Sequence, residues 1–438
     1  MVYLLRKVSN FYIYFVLGVK AMIVKREVYL QMLIDRMNNG AIKVITGLRR
    51  SGKSTLLFNI FYDYLLSIGT NPNNIIKIDL DSEQFEDLLD YKKLGQFIRS
   101  KINETEQFYL FLDEVQFCKN FEKVLNGLNR YENLDIYVTG SNSKFLSTDI
   151  LTEFRGRGDE IRVYPLSFSE YYSALTNIEF SIAFNDYIIY GGLPRMLALK
   201  TEQQKSKYLT DLFKETYLKD IVDRNHLRGE ETLDKLVDIL ASAVGSLTSP
   251  NKLSKTASSV LSKSISDKTI RTYIDHLKNA FLINEAQRYD IKGKQYLSSL
   301  QKIYYADLGL RNARLNFRQN EQPHLMENLI YNELLYRGYN VDVGIVEINE
   351  KVNGKYTQKQ IEVDFVCNQG SKRYYIQSAY ALPTESKTNQ ELRPLLNVND
   401  FFKKMVIVRE DIKPYSNEQG ITIMGIRYFL LNNNSLEF

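Results

Sequence analysis

Short apolar runs and stretches with helical spacing alternate along the first 165 residues of the chain. The runs cover residues 42–46, 75–80, 108–112, 135–139 and 160–164. Continuous runs of this length are typical of strands that are buried on both faces of a parallel sheet. Between them lie segments with helical periodicity, such as the one that begins at Thr55. The alternation predicts an α/β domain, over residues 22–165, whose ligand lies at the carboxyl ends of the strands.

The middle of the chain has a different pattern. Residues 166–230 show helical periodicity and few strand signals, which predicts a small helical lid. The elements expected next are helices around 233–240, at 253–262 and at 268–279, followed by strands at 281–283 and 303–305. Three short helices followed by a two-stranded hairpin describe a winged helix, which we assign to residues 231–315.

The remaining residues, 316–438, predict a second α/β domain. Leu325, Leu329, Ile330 and Leu334 form the apolar face of a helix expected at 324–336. Strands are expected near residues 340–343, 361–366 and 374–379.

A glycine-rich segment follows the first apolar run directly. Its residues are Gly47, Leu48, Arg49, Arg50, Ser51, Gly52, Lys53 and Ser54, and Thr55 then opens the helical pattern. Strand, G-x-x-x-x-G-K-S and helix in this order form a P-loop in its required context. The glycines let backbone N–H groups wrap a phosphate, and the helix N-terminus adds its dipole. We expect this segment to bind ATP, with Lys53 on the β- and γ-phosphates and Ser54 on Mg²⁺.

Two acids, Asp113 and Glu114, end the apolar run at 108–112. An acid at the end of a buried strand is costly unless it serves a cation. We therefore expect Asp113 to hold Mg²⁺ together with Ser54. Glu114 is expected to polarise the attacking water as the general base.

A polar tip follows the apolar run at 135–139. It contains Gly140, Ser141 and Asn142. Either Asn142 or Ser141 would orient water against the γ-phosphate if the tip lies between the P-loop and the acid pair. The alternative is a plain turn.

Six segments occur in a characteristic order along the chain. They are ITGLRRSGKSTLL (45–57), FLDEVQ (111–116), VTGSNS (138–143), FRGR (154–157), YPLSFSE (164–170) and GGLPR (191–195). Together they resemble the prokaryotic AAA+-type P-loop ATPases, with their ASCE-type parallel sheet, that carry a winged helix and a C-terminal nuclease-like domain of unknown function. The resemblance covers nearly everything from Met22 onward.

The resemblance implies roles for three arginines. Arg155 or Arg157 falls where an arginine finger would lie, and such a finger contributes roughly 10³–10⁵ in rate when it reaches a γ-phosphate. Arg195 falls where a lid arginine would contact the nucleotide. Each of them is equally compatible with an ordinary salt bridge.

Two carboxylates in the rear domain resemble the metal site of PD-(D/E)XK nucleases. Glu327 on the predicted helix and Asp364 on the second strand take the positions of metal ligands in that class. The site normally continues with Glu-x-Lys on the next strand, whereas this chain has Gln377, Ser378 and Ala379. A glutamine lacks the anionic charge and an alanine lacks the ammonium, so we expect a degenerate nuclease fold that binds DNA or protein.

The third helix of the predicted winged helix carries Lys268, Arg271 and Lys278. Basic residues on this helix suit a DNA groove. The alternative is a winged helix that only packs against protein.

Composition narrows the class of protein only slightly. The chain has 438 residues with 57 Lys and Arg against 52 Asp and Glu, and this net charge of +5 permits a nucleic-acid surface without arguing for one. Its two cysteines and three histidines provide no disulfide framework, zinc pattern or His-rich metal site, which fits a reducing cytoplasm.

The N-terminal residues contain a short apolar run from Phe11 to Leu17. It is too short for a membrane span and lacks a small-residue cleavage site, which disfavours an anchor or a signal peptide. We expect Met22 to be the natural start and residues 1–21 to be an upstream extension, with no membrane partner.

The sequence thus predicts an ATP-hydrolysing molecular switch whose rear domains engage DNA or a protein partner, with self-association in ATP if an arginine finger acts in trans. An ATP-coupled nuclease is the alternative that Gln377 and Ala379 disfavour. A protein-interaction scaffold with vestigial ATP binding is the alternative that intact Lys53 and Glu114 disfavour.

Overall fold

The computed structural model describes residues 6–8, 11–16, 19–141, 156–227, 230–319, 321–352 and 355–438. Its strands are β1 (Arg6–Val8), β2 (Phe11–Val16), β3 (Val19–Val24), β4 (Ile42–Thr46), β5 (Ile75–Asp79), β6 (Phe108–Asp113), β7 (Leu134–Thr139), β8 (Gly158–Arg162), β9 (Ile283–Asp290), β10 (Gln295–Tyr305), β11 (Asn340–Val352), β12 (Lys355–Gln369), β13 (Lys372–Ala379), β14 (Lys403–Val408), β15 (Tyr415–Ser416) and β16 (Thr422–Gly425).

The helices of the described residues are α1 (Glu27–Ile34), α2 (Lys53–Thr55), α3 (Tyr62–Ser67), α4 (Tyr91–Lys101), α5 (Phe121–Leu128), α6 (Phe168–Ser173), α7 (Phe180–Tyr190), α8 (Glu202–Leu212), α9 (Lys219–Asn225), α10 (Glu230–Ser242), α11 (Pro250–Leu261), α12 (Asp267–Asn279), α13 (Leu308–Arg314), α14 (Gln322–Tyr336), α15 (Glu385–Leu396) and α16 (Ile426–Leu431). Two π-helical turns, Leu56–Phe61 and Phe213–Leu218, continue α2 and α8 without a break. Short 3₁₀ helices lie at Pro72–Asn74, Glu83–Leu89, Val115–Phe117, Pro194–Ala198 and Ser435–Glu437.

The chain divides into two compact units. The first contains residues 1–166, 193–198 and 279–281, and the second contains residues 167–192, 199–278 and 282–438.

A five-stranded parallel sheet forms the centre of the first unit, in the order β5-β6-β7-β4-β8. Every residue of β4, β6 and β7 is buried, as expected for strands covered by helices on both faces. On one face, α4 and α5 pack their apolar sides onto these strands, with Ile98 and Leu125 fully buried. The α/β fold class with a P-loop sheet, predicted from the apolar runs, is confirmed.

The edge strand β8 begins two residues earlier than predicted. Its first residues, Gly158 and Asp159, are only partly buried, so they lack the apolar signal that marks Ile161. A separate antiparallel sheet joins β1, β2 and β3, largely within the segment that was expected to be an upstream extension.

The second unit contains an eight-stranded mixed sheet, in the order β10-β9-β11-β12-β13-β14-β16-β15. The hairpin β9–β10 that follows the three helices is part of this sheet, because β9 pairs in parallel with β11. The strands β9 to β12 are much longer than predicted. Their outer parts alternate polar with apolar residues or are mostly polar, as in the stretch around residues 355–360, and the apolar runs alone did not reveal them.

Capping residues mark the first turns of several helices. Ser167 and Glu170 form a capping box at α6, and Thr201 and Gln204 form another at α8. Ser249 caps α11, whose first residue is Pro250. Among the residues that the structure describes, no helix is both long and apolar enough to cross a bilayer.

Candidate functional site

The P-loop connects β4 to α2 and contains two positions whose backbone conformation favours glycine. Gly47 has φ +132°, and a Cβ at this position would lie 2.1 Å from the carbonyl oxygen of Val163. Gly52 has φ +99° and directly precedes the helix. A Cβ at this position would lie 3.7 Å from Pro194 Cγ. The glycines therefore let the loop pass against the chain after β8 and turn sharply into the helix.

Lys53 is folded back over this loop. Its Nζ donates to the carbonyl oxygens of Gly47 at 3.0 Å and of Leu48 at 3.1 Å, and its side chain is buried. Ser51 is also fully buried. The ammonium thus lies inside the curve of the loop, where a phosphate cradled by the backbone N–H groups would meet it.

Arg26 links the P-loop to the segment after β8. Its guanidinium donates to Ser51 O at 3.3 Å and to Tyr164 O at 2.6 Å, and it stacks over the ring of Tyr29 at 4.6 Å. The Tyr29 hydroxyl in turn accepts from Tyr164 N at 3.0 Å. The start of α1, the P-loop and the chain after β8 are therefore tied together by one buried arginine.

The Asp113 carboxylate lies at the carboxyl end of β6 and is buried. The Ser54 hydroxyl hydrogen-bonds to it, and the Thr139 hydroxyl donates to its Oδ1. Burial raises the pKa of Asp113, the two hydroxyl hydrogen bonds lower it, and the charges of Glu114 and Asp79 raise it further. The structure thus brings together Ser54 and Asp113, the two residues predicted to hold Mg²⁺.

Glu114 adopts a left-handed conformation with φ +49°. Its backbone N–H donates to Thr139 Oγ1 at 3.0 Å, and this hydrogen bond helps to hold a conformation that costs a non-glycine residue about 1–3 kcal/mol. Its carboxylate oxygen Oε2 accepts hydrogen bonds from Gln116 Nε2 and from Ser141 Oγ, the latter at 3.2 Å. The carboxylate is therefore held in one orientation beside Asp113.

ATP with Mg²⁺ fits this set of residues. The loop offers backbone N–H groups and the buried ammonium of Lys53 for phosphates. The Ser54 hydroxyl and the Asp113 carboxylate, already in contact, supply the hard oxygen ligands and hydrogen-bond acceptors that hydrated Mg²⁺ prefers.

The predicted arginines are placed differently from one another. Arg195 is exposed and follows Pro194, whose ring lies beside Gly52. Arg157 is exposed at the amino end of β8, where its carbonyl oxygen accepts from Ile42 N at 2.8 Å. The P-loop starts at the other end of β4, five residues or about 16 Å away at 3.3 Å per residue, farther than an arginine side chain reaches. Asn142 and Arg155 lie outside the described residues.

The two rear carboxylates, Glu327 and Asp364, do lie together in the second unit. They surround Lys302 Nζ with a third acid, Glu362, at distances of 2.8 Å from Glu327, 3.5 Å from Asp364 and 2.6 Å from Glu362. Gln377 lies beside them, and its Oε1 accepts from Asp364 N at 3.4 Å, while Ala379 is buried in the core.

The basic residues of α12 separate into two environments. Lys268 and Arg271 are exposed, while Ile270 and Ile274 form part of the buried face. Lys278 forms ion pairs with Glu285 on β9 and, at 3.8 Å, with Asp275.

Sequence reasoning missed Arg26, Gln116 and Thr139. Thr139 was detectable in principle, because pairing β6 with β7 places it next to Asp113, whereas the predicted polar tip begins one residue later. Gln116 lies only two residues after Glu114. Arg26 carries no local signal, since its partner Tyr164 is 138 residues away.

The sheet order, the glycine-rich loop after β4 and the two acids at the carboxyl end of β6 define a P-loop domain of the AAA type. Residues 39–172 match the family model of the AAA domain. Residues 181–321 match the model of a domain of unknown function, DUF8612.

The chain belongs to the same family as an uncharacterized protein of Haemophilus influenzae. The two are 36% identical over 394 residues, which cover 89% of this chain and 94% of that protein. It is also similar to an uncharacterized protein of Methanocaldococcus jannaschii, at 29% identity over 387 residues, covering 85% of this chain and 80% of the relative.

Two solved structures are similar at a lower level. The ORC1 protein of Aeropyrum pernix in complex with DNA aligns with a TM-score of 0.34 and 12% identity, covering 66% of this chain and 91% of that one. AMPPCP-bound DnaA from Aquifex aeolicus aligns with a TM-score of 0.31 and 16% identity, covering 58% and 88%.

Thr139→Val should weaken the use of Mg²⁺ at this site. Valine keeps the shape but removes the donor to Asp113 and the acceptor for Glu114 N–H, and loss of such a supporting group typically costs about 10–100-fold in metal affinity. Binding of a fluorescent ATP analogue, titrated with Mg²⁺, measures the effect. Thr139→Ser retains the hydroxyl and should behave like the wild type. An unchanged Mg²⁺ dependence in Thr139→Val would show that the Thr139 hydroxyl does not support Mg²⁺ binding.

Proposed function

We propose that the chain binds ATP with Mg²⁺ at the P-loop, hydrolyses it, and uses the nucleotide state to change how the second unit engages DNA. The observation that carries the ATPase proposal is the hydrogen-bonded set of Ser54, Asp113 and Thr139 with Glu114 fixed beside it. A scaffold with vestigial nucleotide binding would have no need to keep two adjacent acids at this edge of the sheet, since an acid there is costly without a cation.

Each residue of the site has a definite task in this proposal. The loop backbone from Gly47 to Thr55 and Lys53 hold the phosphates, and Ser54 with Asp113 holds the metal. Bound Mg²⁺ supplies charge neutralisation for the phosphates during transfer. Glu114 orients the attacking water and takes up its proton, and Gln116 and Ser141 keep its carboxylate aimed.

Two further interactions with the nucleotide are part of the proposal. Arg195 touches the nucleotide, a role supported by the position of Pro194 beside Gly52. Asn142 orients water against the γ-phosphate, as its place after β7 suggests.

An arginine finger acts in trans, from one copy of the chain to the P-loop of another. The support comes from Arg157, which lies at the amino end of β8 and is too far from the P-loop of its own chain. Arg155 is the other candidate, from the sequence alone. ATP then promotes self-association, because each site is complete only with a neighbour.

DNA binding by the second unit rests on α12. This helix is the third of the three that precede the β9–β10 hairpin, the arrangement of a winged helix, and it exposes Lys268 and Arg271. Lys278 contributes less, because Glu285 already neutralises it. The ATP-coupled nuclease is disfavoured, since Gln377 and Ala379 stand where Glu and Lys would be required.

Glu114→Gln should retain ATP binding while turnover falls by about 10²–10⁴-fold, the typical contribution of a general base. Lys53→Ala should abolish turnover and weaken ATP binding, because the phosphates lose their fixed cation. Phosphate release and binding of a fluorescent ATP analogue separate the two effects. Glu132→Gln, in an exposed loop, is the matched control. Equal turnover in the wild type and Glu114→Gln would exclude Glu114 as the base.

Mixing two inactive variants tests the trans finger. Arg157→Ala lacks the finger but keeps its P-loop, whereas Lys53→Ala lacks the P-loop cation but keeps Arg157. If the finger acts in trans, each variant alone should turn over about 10³-fold or more slowly, and the mixture should regain part of the activity. Arg130→Ala, also an exposed arginine of the first unit, should leave turnover intact. A mixture no more active than its components would contradict the proposal for Arg157.

DNA binding by the full chain should weaken with salt. Lys268→Ala with Arg271→Ala should flatten the slope of log K against log salt by roughly 0.9 for each DNA phosphate that is no longer neutralised. Fluorescence anisotropy with a duplex, in Mg²⁺ and ATP, measures the slope, and Lys278→Ala is the control that should change it less. A plasmid in the same mixture should stay uncut. If the wild type retains no duplex at any salt concentration, the proposal fails and a protein partner becomes the better hypothesis.

A further inference from the structure

The acid cluster of the second unit contains a cation supplied by the chain itself. Lys302 Nζ lies 2.6 Å from Glu362 Oε1, 2.8 Å from Glu327 Oε1 and 3.5 Å from Asp364 Oδ1. The Tyr304 hydroxyl donates to the same oxygen of Glu327 at 2.6 Å. The side chain of Lys302 is only 4% exposed, so this is an interior ion cluster and not a surface salt bridge.

Three elements converge to build this cluster. Lys302 and Tyr304 lie two residues apart on β10 and face the same side of the sheet, as do Glu362 and Asp364 on β12. Helix α14 covers that side and contributes Glu327. The ring of its Tyr331 stacks on Tyr304 with 4.1 Å between centroids, which fixes the helix over the sheet.

The charges explain why the ammonium stays in place. Burial alone would lower the pKa of Lys302, but the three surrounding carboxylates outweigh it and raise the pKa above its ordinary value. Burial raises the pKa of Asp364, which Lys302 counteracts. The second Asp364 oxygen accepts from Ser378 N at 2.8 Å. Lys302 is thus held as a cation by several charge-assisted interactions at once.

A divalent metal does not fit this cluster beside Lys302. Mg²⁺ or Mn²⁺ would need the same oxygens at about 2.0–2.2 Å, which is the space that the ammonium fills, and two neighbouring cations would repel each other. With Lys302 in place among these acids, no group of three or more His, Cys, Asp or Glu side chains within the described residues is arranged to hold a metal ion. The nuclease resemblance implies a metal here, and the residues present disagree with it.

We propose that Lys302 is the resident cation of the Glu327–Glu362–Asp364 cluster, that it takes the place of a divalent metal, and that its removal opens a divalent-cation site. The cluster joins β10, α14 and β12 without any metal. The second unit then stays folded in the presence of a chelator, independently of the Mg²⁺ that the P-loop uses with ATP.

Binding of Mn²⁺ to the full chain without nucleotide tests the proposal, with free Mn²⁺ followed by electron paramagnetic resonance. The wild type and Asp364→Asn should show the same Mn²⁺ binding, because the wild type has no saturable Mn²⁺ site at Asp364. Lys302→Met removes the charge and shortens the side chain by one atom, and should gain one saturable Mn²⁺ site that the wild type lacks. Lys302→Arg keeps the charge and should not gain this site, and Lys302→Met with Asp364→Asn should lose it.

Thermal unfolding provides a second measurement that does not depend on detecting the bound ion. Lys302→Met should melt at a lower temperature than the wild type, because three acids lose their counterion, and Mn²⁺ should restore much of the loss. The wild-type melting temperature should be the same in Mn²⁺ and in a chelator. If Lys302→Met does not fold without metal, refolding in Mn²⁺ but not in the chelator supports the same conclusion. Saturable Mn²⁺ binding by the wild type that Asp364→Asn abolishes, or a folded Lys302→Met without any gain in Mn²⁺ affinity, would overturn it.

Discussion

The buried carboxylate of Asp113 is the constraint around which the first unit is organised. A charged group at this depth is tolerated only when polar partners replace the water it has lost. The partners come from two other elements, because Ser54 lies on the helix after the P-loop and Thr139 ends the strand between β4 and β6. The strand order of the sheet is what brings these hydroxyls within reach, and the same hydroxyl of Thr139 also receives the backbone N–H of Glu114.

The buried acids Asp113 and Asp364 are compensated in opposite ways. Around Asp113, neutral hydroxyls compensate part of the free-energy cost of burying the carboxylate. They leave the carboxylate suited to an external cation. Around Asp364, the chain provides a full positive charge through Lys302, so the acids are already neutralised in part. The first arrangement suits a site that gains and loses a ligand during a cycle. The second suits a permanent link, since removing one partner of a buried ion pair is far more costly than keeping both.

How much could be predicted depended on how local each signal is. The P-loop and the Asp113–Glu114 pair were predictable because spacing within a dozen residues and a buried strand beside it specify them. Thr139 was missed because only the pairing of β6 with β7 reveals its neighbour. Lys302 was missed for a stronger reason: its partners are 25 or more residues away, and the residues at 377 and 379 suggested that the positive charge was absent. The lengths of β9 to β12 were underestimated because their polar ends satisfy backbone hydrogen bonds without burying apolar side chains.

The path of the chain through the two units has a consequence for how such a protein can change during evolution. The backbone passes from one unit to the other five times, after residues 166, 192, 198, 278 and 281. Neither unit is a contiguous stretch, and the segment with Pro194, which reaches Gly52 of the P-loop, is inserted between two parts of the second unit. An exchange of one contiguous gene segment that covered all of one unit would also replace parts of the other. The unit with the P-loop and its companion are therefore most easily inherited as one piece.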